Sequence, residues 1–229
     1  MSRYLWFSIV LTVVVAGFTL FLYGFGHDYM PERVPVHWNI EGKADDYVPR
    51  ERVLPYLLIA PGVMALMVLL TLALPWLSPK QFSIERFRGT YDYIMALIVG
   101  LFGYVQITLL LASVESPVDT TRLLVGGVFL FFAALGNVLG KVRRNFYVGV
   151  RTPWTIASEQ VWNQTHRIAA WLFVALGIVG FAAVVLGVNL VAVFVVFIVG
   201  VLFPVPYSLY LYKKLQREGK LDATTSSMS

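Results

Sequence analysis

Six stretches of this chain are each long and apolar enough to cross a bilayer, and they limit the fold more than any single motif does. A hydrocarbon core of about 30 Å needs roughly 20 helical residues at 1.5 Å each. The stretches run over 4–25, 53–77, 93–112, 123–139, 168–188 and 190–211. No water inside the bilayer can satisfy backbone N–H and C=O groups, so such segments must be helices that bond internally. The last two form a charge-free block over 168–211, too long for one span, and Gly187, Val188 and Asn189 offer its only turn. The chain is therefore expected to be an all-α membrane protein, a six-transmembrane-helix bundle seated in the cell membrane as a multi-pass protein. Composition agrees: 58% of its 229 residues are hydrophobic and 14% are charged, against about half and about a quarter in soluble domains. The first run follows Arg3 as a signal peptide would, but it outlasts the roughly 7–15 residues of such a core. No small-x-small cleavage site closes it, so it reads as a retained anchor.

Loop charge sets the orientation, because Lys and Arg collect in cytoplasmic loops. Arg3, Lys80, Arg86, Arg88, Lys141, Arg143, Arg144, Arg151, Arg167, Lys213, Lys214, Arg217 and Lys220 fall on one face, thirteen of the eighteen bases. The other face holds Arg33, Lys43, Arg50, Arg52 and Arg122, outnumbered by Asp28, Glu32, Glu41, Asp45, Asp46, Glu51, Glu115 and Asp119. Both termini are expected to be cytoplasmic, with a short extracellular cap after the first helix. This divides the chain into a two-helix unit over 1–77 carrying loop 30–52, a third helix with its flanks over 78–122, a three-helix region over 123–212 with a cytoplasmic loop 140–167, and a disordered tail over 213–229. The basic balance reads as loops held against anionic membrane lipids, not as direct nucleic-acid binding. Cysteine is absent, which excludes disulfides, thiolate metal sites and thiol nucleophiles.

Two polar segments remain, one per face. In the outer one, Val34, Val36 and Trp38 alternate with Pro35, His37 and Asn39, a period of two that predicts a short extended segment. Pro35 lacks a donor and must lie on an edge. Asn39 and Gly42 supply turn chemistry, so the segment should form a small hairpin or cap over the helix ends. His37, Asp45 and Asp46 match no established metal spacing, so no metal or cofactor is assigned. In the inner one, Gly136 and Gly140 form a G-x-x-x-G face that permits close helix approach. Asn137 and Lys141, four apart, share a face. Thr155 is expected to cap a helix that gathers Glu159, Trp162, Asn163 and His166 on one side. Trp154, Trp162 and Trp171 read as interfacial aromatics, and His166 as a histidine bonded to Glu159 or Asn163.

The inner segment "GNVLGKVRRNFYVGVRTPWTIASEQVWNQTHR", residues 136–167, resembles the signature of the SdpI-type bacterial immunity family. By that resemblance Asn137, Gly140, Lys141, Asn145, Gly149, Arg151, Thr152, Pro153, Trp154, Thr155, Trp162, His166 and Arg167 occupy the motif positions. The outer segment "VPVHWNIEGKADDY" is similar to the domain of unknown function that commonly precedes it, at Pro35, His37, Asn39, Gly42 and Asp46. The resemblance implies an integral membrane protein that protects a cell from a secreted peptide toxin and signals by holding a soluble transcriptional repressor at the membrane.

The residues themselves leave three functions to weigh. A binding and signalling module would use the inner loop to dock a cytoplasmic partner, with the planar Arg151 guanidinium pairing an anion. A membrane enzyme acting on a lipid or isoprenoid phosphate would use His166 as base and Arg151 and Lys141 on the phosphate. Against it, Glu159 is that loop's only acid, and phosphoryl chemistry usually needs a metal held by several carboxylates. A small transporter would use Gln106 and Asn137 with helix breaks at Pro55, Pro61, Pro204 and Pro206, yet the predicted spans carry no ionisable residue well inside them. Recognition is favoured over catalysis, and catalytic residues are assigned to none.

Overall fold

The computed structural model describes residues 2–39, 44–113 and 118–221. Its helices are α1 (Arg3–Gly26), α2 (Leu54–Leu57), α3 (Ile59–Leu77), α4 (Arg88–Ser113), α5 (Thr120–Leu139), α6 (Pro153–Ala157), α7 (Glu159–Val185), α8 (Leu190–Leu202) and α9 (Pro204–Arg217). Strands β1 (Arg33–Trp38) and β2 (Ala44–Pro49) form an antiparallel pair after α1. Six helical runs are long and apolar enough to span a membrane, and they correspond one for one to the six apolar stretches. Gln106 on α4 is fully buried and donates to Thr19 Oγ1 of α1 at 3.1 Å, a polar tie between two spans.

Helix ends differ from the sequence reading where side chains supply the missing backbone partners. The third span begins at Arg88 and not near Tyr93, because Arg88 bridges Asp92 (2.9 Å) one turn on and Glu85 (2.9 Å) before it. Asp92 is thus a buried acid inside a span, which the hydropathy reading had placed outside. Asp119 caps α5 by accepting from Arg122 N–H (3.0 Å), and the Arg122 guanidinium bonds the Val184 carbonyl at the end of α7 (2.9 Å). The fifth span starts at Glu159, nine residues before its apolar run, because Ser158 caps it through Val161 N–H (3.2 Å). The turn into α8 falls at the anticipated place: Gly187 takes φ +79°, and Asn189 accepts from Ala192 N–H (3.1 Å). The sixth span breaks at Phe203 between α8 and α9, where Pro204 and Pro206 bring no N–H.

The bundle has two distinct ends. At one, Val34 and Val48 pair across the hairpin and pack with Met30, Val53, Leu57 and Leu110 over the ends of α1, α2 and α4. Pro35 sits opposite Tyr47 beside a register irregularity, as a donor-less strand residue requires. The anticipated turn at Asn39–Gly42 falls largely on residues 40–43, outside the described residues; of the tail expected to be disordered over 213–229, Lys213–Arg217 instead continue α9, with Leu215 buried against the bundle, and the part after Leu221 lies outside the described residues. At the other end, the Tyr4 and Tyr93 rings meet edge-on at 5.3 Å, and Phe82 meets Phe146 at 4.3 Å, bringing together the starts of α1 and α4 and the loop after α5. The α5–α7 contact is the most extensive. A Cβ on Gly136 would lie 2.7 Å from Val174 N, and one on Gly177 would lie 2.6 Å from Ala133 N, so these backbones touch only because both positions lack a side chain. Gly140 does not share this role, since its nearest neighbour would be Ala170 Cβ at an ordinary 3.8 Å.

Candidate functional site

The loop between α5 and α7 is held by side chains that consume their own hydrogen-bonding capacity. Asn145, fully buried, donates to the carbonyls of Arg143 (2.7 Å) and Val148 (3.0 Å) and accepts from the N–H groups of Tyr147 (2.7 Å) and Val148 (2.8 Å). Both donors and both acceptor positions of its amide are used, which fixes a tight turn without a sheet or helix. Four residues after Asn145, Gly149 takes φ +112°, and a Cβ there would lie 2.2 Å from His166 Nε2. The next N–H, that of Val150, donates to that same nitrogen at 3.0 Å.

His166 is sealed on both sides. Its Nδ1 lies 2.8 Å from the Trp162 carbonyl, which can only accept, so Nδ1 carries the proton and Nε2 takes the Val150 N–H. The ring stacks on Trp162 at 4.0 Å and 20°, and Trp162 in turn donates its indole N–H to the Val142 carbonyl (2.7 Å). Both rings are fully buried. The expected partners Glu159 and Asn163 are exposed instead, so the four-residue face proposed for this helix splits into a buried pair and a solvated pair. Of the three tryptophans read as interfacial, Trp162 is core, Trp154 is half-buried and Trp171 is exposed. A neutral imidazole with both nitrogens occupied has no free lone pair to act as a general base.

The stretch Arg151–Ser158 forms a second clamp. Thr152, not Thr155, is the N-cap of α6: its Oγ1 accepts from Thr155 N–H (3.2 Å), and Thr155 Oγ1 accepts from Thr152 N–H (2.8 Å). This reciprocal box places Pro153 at the first helical position, where its fixed φ suits the turn. Thr155 Oγ1 also donates to the Val150 carbonyl (2.9 Å), tying the box back to the Gly149 corner. Trp154 donates its indole N–H to Ser208 Oγ on α9, and Thr152 Oγ1 lies 3.4 Å from the same atom. Around this latch Val161, Leu211 and Leu215 form a buried cluster. Ser208 and Val142 were not singled out from the sequence, because a lone serine in an apolar span and a backbone carbonyl carry no pattern. Asp92 had a readable signal in its i, i+4 spacing from Arg88.

Lys141, Arg143, Arg151 and Arg167 remain exposed, and none of them makes an ion pair among the described residues. Arg151 bonds the Phe146 carbonyl, and Arg144 is half-buried over the Phe82 ring, donating to the Ile156 carbonyl (3.1 Å). Asn137 and Gly140 are exposed at the end of α5. At the opposite end, His37 Nδ1 and Asp45 Oδ1 are 2.6 Å apart and largely exposed, and Asp46 accepts from Tyr47 N–H (2.8 Å). Pro35 and Asn39 each border an apolar cleft beneath the hairpin; Gly42 lies outside the described residues. The described residues hold no group of three His, Asp or Glu side chains placed to bind a cation.

Residues 141–208 match the SdpI/YfhL protein family, a span that opens at the first exposed base and closes on the latch serine. Over that span the chain is similar to the SdpI/YfhL family. Residues 10–65, which cover most of α1, the hairpin, α2 and the start of α3, match a domain of unknown function, DUF1648. The chain is 26% identical over 153 residues to "Immunity protein SdpI" of Bacillus subtilis (strain 168), covering 67% of this chain and 70% of that protein. No solved structure matches. The family match and six helices long and apolar enough to span make this a multi-pass protein of the cell membrane.

Proposed function

We propose that this protein is a membrane immunity protein: it protects its cell from a secreted antimicrobial peptide met at the hairpin end, and it docks a soluble regulator at the opposite, cytoplasmic end. The observation that carries the reading is the division of labour in the family loop. Asn145, Gly149, Thr152, Thr155, Trp162 and His166 are spent on holding its shape, while Lys141, Arg143, Arg151 and Arg167 stand exposed around it without acidic partners. A rigid, bare cationic rim suits recognition of an acidic surface, and the sealed histidine does not suit turnover. The thirteen bases at that end support a cytoplasmic placement. Kinship with an immunity protein supports the protective role.

The test is survival. Expressed in a host killed by a secreted membrane-active peptide, the chain should permit growth at doses that kill the empty-vector strain. Arg151→Gln should abolish that protection while the amount of protein in the membrane holds. Equal killing with and without the chain overturns the immunity role; full protection by Arg151→Gln overturns the docking surface.

A further inference from the structure

Helix α9 carries two faces that diverge as it leaves the hydrocarbon. Pro204, Ser208, Leu211 and Leu215 are buried against the bundle. On the opposite side Pro206, Tyr210, Lys213 and Arg217 recur at i, i+4, i+7 and i+11, all exposed, with Val205, Leu209 and Lys214 beside them. This outer stripe changes character along its length. Val205 and Leu209 are apolar and face outward, Tyr210 is 64% exposed, and one turn later the side chains are cationic.

Tyr210, Lys213, Lys214, Arg217 and Glu218 line an open cleft of about 290 Å³. Its one acid is engaged elsewhere, since Glu218 Oε2 holds Lys220 Nζ at 2.9 Å. Lys213 reaches only the neutral Gln216 amide, at 3.5 Å, and neither Lys214 nor Arg217 has a side-chain ion pair among the described residues. Three bases without a direct ion pair among the described residues, against one carboxylate already bound to Lys220, therefore surround a space that opens beside exposed apolar side chains of the same helix. A free anion would use the bases alone. A molecule with a charged head and acyl chains would use the bases, the tyrosine and the apolar stripe together.

We infer that this cleft is a binding site for the phosphodiester headgroup of an anionic phospholipid, with Lys213, Lys214 and Arg217 on the phosphate, Tyr210 at the glycerol level and the acyl chains along Val205 and Leu209. The site lies on α9, uses none of the exposed bases of the family loop, and does not depend on the immunity reading.

The test uses the full chain in nanodiscs of phosphatidylcholine doped with phosphatidylglycerol, with retained lipid counted by native mass spectrometry after mild detergent extraction. Lys214→Gln/Arg217→Gln leaves the buried face of α9 intact and should weaken retention of phosphatidylglycerol about thirtyfold, from the contribution of each juxtamembrane base to anionic-lipid binding. Lys141→Gln/Arg143→Gln removes the same charge elsewhere and should leave retention unchanged. Equal loss in both double variants would mean general surface charge and would overturn the site, as would retention unaffected by the α9 changes. Inorganic phosphate forms the third arm. Displacement of the lipid by millimolar phosphate would assign the cleft to a small anion, whereas retention in its presence supports the lipid.

Discussion

Gly149→Ala is the sharpest probe of how the family loop is built. Two effects add. An alanine at φ +112° costs about 1–2 kcal/mol in backbone strain. Its methyl, 2.2 Å from His166 Nε2, must also push the imidazole away and break the 3.0 Å bond from Val150 N–H, a further cost of about 1–2 kcal/mol. The single variant should lose about 3 kcal/mol, a large share of a typical folding stability. In a His166→Ala background the obstacle is gone, and the same glycine change should cost only the strain. The cycle therefore predicts a coupling of about 1–2 kcal/mol between the two positions. Unfolding in mixed SDS micelles, followed by the loss of helical circular dichroism, measures all four proteins. Additive losses, within about 0.5 kcal/mol, would refute the claim that Gly149 exists to admit the histidine.

Asn145→Ala strands four backbone groups and should lose more than about 3 kcal/mol in the same micelle titration, with Asn145→Asp falling between it and the native protein. Gly136→Ala forces α5 from α7 and should cost about 1–3 kcal/mol, whereas Gly140→Ala, with space at 3.8 Å, should change stability little. Gln106→Met removes a buried amide whose Oε1 has no partner among the described residues; interhelical bonds of this kind contribute about 0.6 kcal/mol, so its midpoint should shift only slightly. Because the chain has no cysteine, Arg151→Cys gives a clean reporter: a membrane-impermeant maleimide should label it in inverted vesicles and spare it in intact cells.

The six spans were legible because about 20 apolar residues in a row have few other fates. The hairpin was legible from its period of two, and the α7–α8 turn from Gly187 standing two residues before the only asparagine, Asn189, of a long charge-free block. Helix starts were not, because hydropathy ignores caps: Ser158 begins α7 well before its apolar run, and Arg88 with Asp92 extends α4 into polar sequence. Within the loop, residue types suggested chemistry that the geometry reassigns. His166 and Trp162 looked like surface recognition groups because a helical wheel places them beside Glu159 and Asn163. Their burial depends on Val142 and Val150, whose backbone groups become partners only after the loop has closed over them. Ser208 is a similar case, distant in sequence and meaningful only through Trp154 and Thr152.

The histidine's packing bears on how a partner would be met. A connecting segment of this length usually samples many shapes and must surrender that freedom on association. Here the imidazole, the Asn145 amide and the Thr152–Thr155 pair have already frozen the backbone. Whatever touches this face encounters a template cast in advance, and an encounter that need not order the backbone leaves complex formation governed mainly by charge, shape and the settling of the exposed side chains.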